Sequence, residues 1–241
     1  MRIPPPERVT KDKFTFDAQE IEPFLRAPAM QLPPWPNAMI PMGDGRTMFL
    51  RAARKEEVPS ILPYLKKVMD CDHDFYDIVG VRVYAELLGW YRERLKDPYV
   101  ILGIIDGKLA GLANGRMWNR EICISHHTMT FQRAARIGVV MYYAKAYYAF
   151  EVLGCQEFWS TFESYNGFRM GFQMCQPSYT WPEHQHELGG AAIYYVTHDS
   201  WNERIKGYCR EMMGSDLIFD GIPAELVKAS EHMQVPEEVA L

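Results

Sequence analysis

The stretch Glu121-Ile-Cys-Ile-Ser-His-His-Thr-Met-Thr-Phe131, then Gln132-Arg-Ala-Ala-Arg-Ile-Gly138, then Val139-Val-Met-Tyr-Tyr-Ala-Lys-Ala-Tyr-Tyr-Ala-Phe-Glu-Val-Leu153-Gly154, changes character twice. From Ile122 to Phe131 it is rich in β-branched side chains and free of Gly and Pro, which predicts a strand. In a regular strand His126 and His127 face opposite sides of the sheet. From Val139 to Leu153 only Lys145 and Glu151 are charged, which predicts a helix buried over most of its circumference, with Gly154 as its C-terminal cap. Strand, basic turn and helix together offer backbone N–H groups and the guanidinium groups of Arg133 and Arg136 to an anion.

Upstream, Tyr99 to Ile105 and Lys108 to Ala113 flank Asp106-Gly107, and Asp-Gly between two apolar runs signals a tight antiparallel hairpin. Before it, Thr47 to Ala52 predicts a short strand, and Val58, Ile61, Leu62, Leu65, Val68 and Met69 follow a helical period. A second helix is expected from about Val81 to Leu95, ended by Asp97-Pro98. Downstream, Glu157 to Phe162, Phe172 to Gln176 and Ala191 to Thr197 predict strands, with a short turn of helix after Phe162. Asn202 to Met213 and Pro223 to Ser230 predict two short helices in a C-terminal extension, residues 201–241, with Gly214 between them.

Residues 1 to about 45 carry nine of the sixteen prolines, which argues against regular helix or sheet there. This arm also holds Phe14, Phe16, Phe24, Leu32 and Trp35, too much apolar surface for a solvated tail, so it is expected to lie along its own domain or on a partner subunit. The main domain is then residues 46–200.

A net charge of −5 gives no general attraction to nucleic acid. Five cysteines without a C-x-x-C pair argue against a disulfide framework or a zinc site, and the absence of a signal peptide or long apolar run points to a cytoplasmic protein that does not enter membranes. Asp70, Asp72 and Asp74 alternate, but Phe75 and Val81 stand where a calcium loop needs Gly and Glu. There is no P-loop, G-x-S-x-G or H-E-x-x-H motif, which disfavours nucleotide hydrolase, serine esterase and zinc protease chemistry.

The order of elements, the Asp106-Gly107 hairpin, the turn with Arg133, Arg136 and Gly138, and Gly171-Phe172 beyond the next strand resemble the GNAT N-acetyltransferase superfamily over about residues 47–198. The resemblance implies an α/β fold with a mixed, mostly antiparallel central sheet flanked by helices. It also implies acetyl-CoA or another acyl-CoA as co-substrate, its pyrophosphate held by the turn. The family turn reads Arg/Gln-x-x-Gly-x-Gly/Ala, so Arg136 replaces the middle glycine. On this basis Thr130, Phe131, Gln132, Arg133, Ala135, Arg136, Ile137, Gly138 and Asn166 are expected at the coenzyme. A second alignment places Gln132, Ala135 and Ile137 at the three turn positions.

Acyl transfer by direct attack of an amine on a thioester needs a base and gains much from proximity. Glu121, at the mouth of the strand, resembles the family's usual place for the base, and His126 and His127, nearer its middle, suit proton transfer near neutral pH. Gly167 stands where the family has a tyrosine that protonates the departing thiolate, with Tyr165 the nearest substitute. The acceptor is a small-molecule amine or a protein amine. The competing expectation, carried by the altered turn, the short space for a fourth helix between Phe162 and Gly171 and the Pro-rich arm, is a non-catalytic GNAT-like domain acting as a binding or assembly subunit, as a homodimer or with a partner protein.

Overall fold

Asp106 and Gly107 both adopt positive φ, 52° and 70°, in the computed structural model. Two consecutive left-handed residues match the twist of the strands they join. The turn links β3 (Pro98–Ile105) to β4 (Lys108–Met117), as the Asp-Gly signal predicts. The structure describes residues 30–95, 97–132, 136–162, 164–174, 176–179 and 193–239.

Around this hairpin the described residues form an eight-stranded sheet in the order β1-β2-β3-β4-β5-β6-β8-β7. The other strands are β1 (Ala38–Pro41), β2 (Thr47–Ala52), β5 (Ile122–Thr130), β6 (Glu157–Ser160), β7 (Gln176–Tyr179) and β8 (Ile193–Thr197). Every neighbouring pair is antiparallel except β5 and β6, which run parallel. The crossover between them is α3 (Ile137–Tyr147), extended by a π-helical turn Tyr148–Val152 and closed at Gly154, φ 67°. Only Gly adopts that conformation cheaply.

Both faces of the sheet are covered. On one lie α1 (Val58–Val68) and α2 (Tyr76–Tyr91), whose Val58, Ile61, Leu65, Val83 and Leu87 pack with Leu102, Leu112 and Met129. On the other lies α3, whose Val140, Met141, Tyr143 and Ala144 pack with Leu50, Ile101, Ala113 and Cys123. Strands sandwiched this way carry apolar residues on both sides, which is why β3 is almost unbroken Tyr-Val-Ile-Leu-Gly-Ile-Ile. Each fully buried aliphatic side chain contributes about 1.5–3 kcal/mol, so α3 is fixed firmly on the sheet. Gly111 of β4 permits the contact: a Cβ there would lie 2.8 Å from Ile137 Cγ2 and from Met141 Cγ.

Four expected boundaries shift. Strand structure begins within the Pro-rich arm, at Ala38, because β1 has only to pair with β2 at the sheet edge, where proline is tolerated. α2 begins at Tyr76 and ends at Tyr91 instead of spanning Val81 to Leu95; its first turns pack on α1, and Gly80 allows the approach to Val68. Residues 172–174 belong to α4 (Tyr165–Met174), and the strand that follows is β7. The first C-terminal helix is α5 (Lys206–Met213), preceded by the π-helical Trp201–Ile205, and the second is α6 (Ala224–Glu231).

From the arm, Trp35 is buried against Tyr147, Tyr148 and Phe219 of the same chain, with ring centroids 5.9–6.3 Å away. The hydrophobic residues expected at 14–25 lie outside the described residues. Among the described residues no helix is long and apolar enough to cross a membrane.

Candidate active site

The parallel strands β5 and β6 pair only from Ile122↔Glu157 to Ser125↔Ser160, and β5 then runs on to Thr130. Past Ser125 the two strands part, and the opening continues into a cleft of about 990 Å³ at their carboxyl ends. Its walls include Ser125 to Thr130 on one side and Thr161 and Phe162 on the other, and the first turn of α3 closes one end. A cleft at the carboxyl ends of parallel strands, beside a helix N-terminus, suits an anionic ligand.

The turn that enters α3 is organised by Arg136. Its backbone is left-handed, φ 58° and ψ 18°, and its carbonyl accepts from the amides of Val139 and Val140. This is a conformation that glycine takes freely and arginine at a cost of about 1–2 kcal/mol. The side chain reaches to the neighbouring helix: Nη1 donates to the carbonyl oxygen of Met212 at the end of α5, 2.8 Å away, and both residues line the cleft. α5 is held against α3 by Arg210, whose Nε donates to Tyr143 Oη at 3.2 Å and whose Nη2 pairs with Asp216 at 2.6 Å. The arginine in the middle of the turn is therefore drawn onto the neighbouring helix. Ile137 and Gly138, whose amides lie in the first turn of α3, line the cleft, and a Cβ on Gly138 would meet only Thr130 Cγ2, at 3.7 Å. Gln132 accepts at Oε1 from Arg46 Nη1, 2.9 Å, and Arg46 is paired with Asp44.

Deeper in the cleft wall a buried polar cluster joins three elements. The register of β4 against β5 shifts between Asn114↔His127 and Gly115↔Ser125, so His126 is the extra residue of a β-bulge. The expectation that the two histidines face opposite sides fails here: the bulge breaks the alternation, and both rings reach Glu86 of α2. His127 Nδ1 is 3.2 Å from each carboxylate oxygen, and His126 Nδ1 is 3.5 Å from Oε1. Asn114 Nδ2 donates to Glu86 Oε2. All four residues are buried. Burial alone pushes the Glu86 carboxyl up, but the rings of His127 and His126 outweigh it and hold the group well below the ordinary carboxylate range. Asn114 Oδ1 has no hydrogen-bond partner among the described residues, at a cost of about 1–3 kcal/mol.

Of the residues expected at the site, His126, Thr130, Gln132, Arg136, Ile137, Gly138 and Asn166 line the cleft. Arg133 and Ala135 lie outside the described residues. Phe131 does not line it; its side chain is core, with its ring 4.6 Å from that of Tyr64. Tyr165 is also outside the lining and 68% exposed, its amide donating to Asp74 Oδ1 at 2.6 Å. Glu121 is exposed at the entry of β5, its carbonyl accepting from Gln156 and Glu157. Ten residues of extended chain, at about 3.3 Å each, carry it to the far end of the strand from the turn. Glu121 is not among the residues that line the cleft, which opens at the exit end of β5.

Glu86 and Asn114 were not singled out by sequence, whereas His127 was, beside His126 on the strand. Glu86 did leave a signal: with Val83 and Leu87 it falls on the buried face of α2, where an acidic residue is out of place. Among the described residues no group of three His, Cys, Asp or Glu side chains is arranged to hold a metal ion.

No family model and no curated protein matches the chain by sequence. Solved structures do match by shape. Mycobacterium smegmatis RimJ in complex with CoA-disulfide superposes at a TM-score of 0.50 with 10% identity, covering 76% of this chain and 98% of that one. An uncharacterized protein from Bacillus halodurans gives 0.51 with 9% identity, over 75% and 100%. Apo FdhC, a nucleotide-linked sugar GNAT, gives 0.48 with 12% identity, over 76% and 98%. With its mostly antiparallel sheet, its one parallel pair parting at the carboxyl ends and the helix that follows the turn, the chain has the GNAT acetyltransferase fold, as a divergent example of it.

Proposed function

We propose that this protein transfers an acyl group from acyl-coenzyme A to an amine. The observation that carries the reading is the placement of Arg136: the residue that replaces the middle glycine keeps the left-handed backbone, and its guanidinium is bonded to Met212 instead of filling the turn. A side chain lying in the turn would have favoured a domain that only binds or assembles.

The residues present suit the co-substrate. The first amides of α3, at Ile137 and Gly138, would hold the pyrophosphate, with the helix dipole adding to the attraction. The part of β5 beyond its pairing with β6 would offer backbone groups to the amides of the coenzyme arm. A cleft of about 990 Å³ is at the upper end of the size usual for small-molecule sites.

The acceptor amine attacks the thioester carbonyl, a C–N bond forms, the C–S bond breaks and the thiolate departs. The amine loses a proton in the process, and His126, in the cleft wall, is the group we assign to take it. Holding both reactants side by side in the cleft supplies much of the acceleration.

The experiment is thiol release from acetyl-coenzyme A by the full chain, against a panel of polyamines, aryl amines, amino sugars and peptide N-termini. The reading expects release that depends on one class of amine, with the acetylated product seen by mass spectrometry. Thiol release that no amine stimulates would refute it.

A further inference from the structure

The helix α2 is apolar on two sides. Its inner side packs on α1 and the sheet through Val83 and Leu87. On the outer side Phe75, Ile78, Val81, Ala85 and Leu88 follow one another at intervals of three or four residues, the spacing of a seam between helices. Phe75 is 60% exposed, Ile78 41% and Val81 47%, and Ala85 is exposed as well. A helix that is apolar on both sides is normally covered on both, and a contiguous exposed apolar stripe marks an interaction surface.

The two ends of this stripe differ in shape and in charge. At its start Asp74 and Phe75 both have positive φ, 48° and 59°, a strained backbone for a bulky side chain. Asp74 is clamped there: Oδ1 accepts from the amide of Tyr165 at 2.6 Å and Oδ2 from Asn166 Nδ2 at 3.4 Å. The clamp fixes the backbone that holds the Phe75 side chain out in solvent. At the other end Ala85, Leu88, Gly89, Arg92 and Arg94 line a groove. The knob end carries Asp70, Asp72, Asp74 and Asp77, with no Lys or Arg from residue 68 to residue 81, whereas the groove end carries Arg92 and Arg94.

We propose that this face is the interface of a homodimer in which two α2 helices pack antiparallel across a two-fold axis, each Phe75 seated in the groove of the other copy. A two-fold contact joins a surface to itself, so it needs a knob and a hole, and opposite charges, on the same patch. The antiparallel order sets the acidic end of one helix against the basic end of the other, while a parallel order would set carboxylates against carboxylates. With the axis level with residue 83, Val81 meets Ala85 of the second copy, Ile78 meets Leu88 and Phe75 reaches the groove. The small side chain of Ala85 lets the helices approach closely. Asp74 also lines the cleft, so the second copy comes to the edge of the cleft mouth. The dimer goes beyond the acyl-transfer reading and does not depend on it.

The test is sedimentation velocity of the full chain over a concentration series, without coenzyme. Wild type is expected to pass from monomer to dimer as concentration rises. Val81→Glu, a charge on an exposed position of the seam, is expected to stay monomeric with an unchanged circular dichroism spectrum. Asp72→Arg and Arg92→Glu are each expected to weaken the dimer, and the two together to restore it. Should Val81→Glu fail to fold, Phe75→Ser decides in its place, with a dissociation constant expected to rise at least about tenfold. A wild type that is monomeric at every concentration overturns the proposal. So does a folded Val81→Glu, or a Phe75→Ser, that dimerises as tightly as wild type, or a charge-swapped double variant no tighter than either single one.

Discussion

Arg136 Nη1 donates to the carbonyl oxygen of Met212 across 2.8 Å, tying the turn before α3 to the end of α5. The left-handed backbone costs an arginine about 1–2 kcal/mol that glycine would not pay. The exposed hydrogen bond returns about 0.5–1.5 kcal/mol. Arg136→Gly is therefore expected to leave stability within about 1 kcal/mol of wild type, and to preserve the rise in melting temperature given by coenzyme A. A loss of that rise, in differential scanning fluorimetry, would mean that the guanidinium itself holds the phosphates.

Gly111→Ala should weaken the seat of α3. The added methyl would lie 2.8 Å from both Ile137 Cγ2 and Met141 Cγ, side chains in the first two turns of that helix. Overpacking of this kind costs about 1–3 kcal/mol, to be read from urea denaturation. Because the same turn carries Ile137 and Gly138, coenzyme affinity should fall together with stability.

Trp35→Ala tests the attachment of the arm. The indole is 5% exposed and surrounded by Tyr147, Tyr148 and Phe219, so truncation is expected to cost about 3 kcal/mol. For a chain of this length that corresponds to a melting temperature lower by about 6–12 °C.

Acid should find Glu57. Burial raises its carboxyl, but Arg51, with Nη1 2.9 Å from Oε2, and Arg54, with Nη2 2.9 Å from Oε1, outweigh that and lower it. The folded value lies below the unfolded one, so the unfolded chain binds more protons in the acid range. The stability contributed by Glu57 is thus complete above the ordinary carboxylate value of about 4.3 and drains away as the pH falls toward the lowered value. Glu57→Gln should flatten that acid limb in a plot of melting temperature against pH. At neutral pH it should cost about 3 kcal/mol, because Arg51, which also donates to Ser230 of α6, would be left buried without its anion.

Local chemistry explains which parts of this structure were legible in the sequence. Asp106-Gly107 specifies its own turn, and the apolar run from Val139 to Leu153 specifies a buried helix, so the hairpin, α3 and the basic turn between strand and helix all follow from short stretches. β1 was hidden because prolines around it argue against sheet, and only its pairing with Thr47–Ala52 makes the strand. The site was half visible. Arg136 and Gly138 could be placed by their position at the start of α3. The meeting of His126, His127 and Glu86 could not, since it depends on a bulge between two strands and on a helix some forty residues upstream, neither of which leaves a periodic trace. Glu121 lies away from the cleft lining because proximity to the strand in sequence says nothing about which end of it opens.

The central claim is that the first turn of α3 receives the phosphates of coenzyme A, and calorimetric titration of coenzyme A into wild type and Gly138→Glu tests it most directly. Only Thr130 Cγ2, at 3.7 Å, would meet a Cβ on Gly138, so the variant should fold as wild type does, while its carboxylate occupies the anion's place. The account predicts saturable binding to wild type, and an affinity lowered at least about tenfold, or 1.4 kcal/mol, in the folded variant. No binding to wild type at millimolar coenzyme, or equal binding by both proteins, would contradict it.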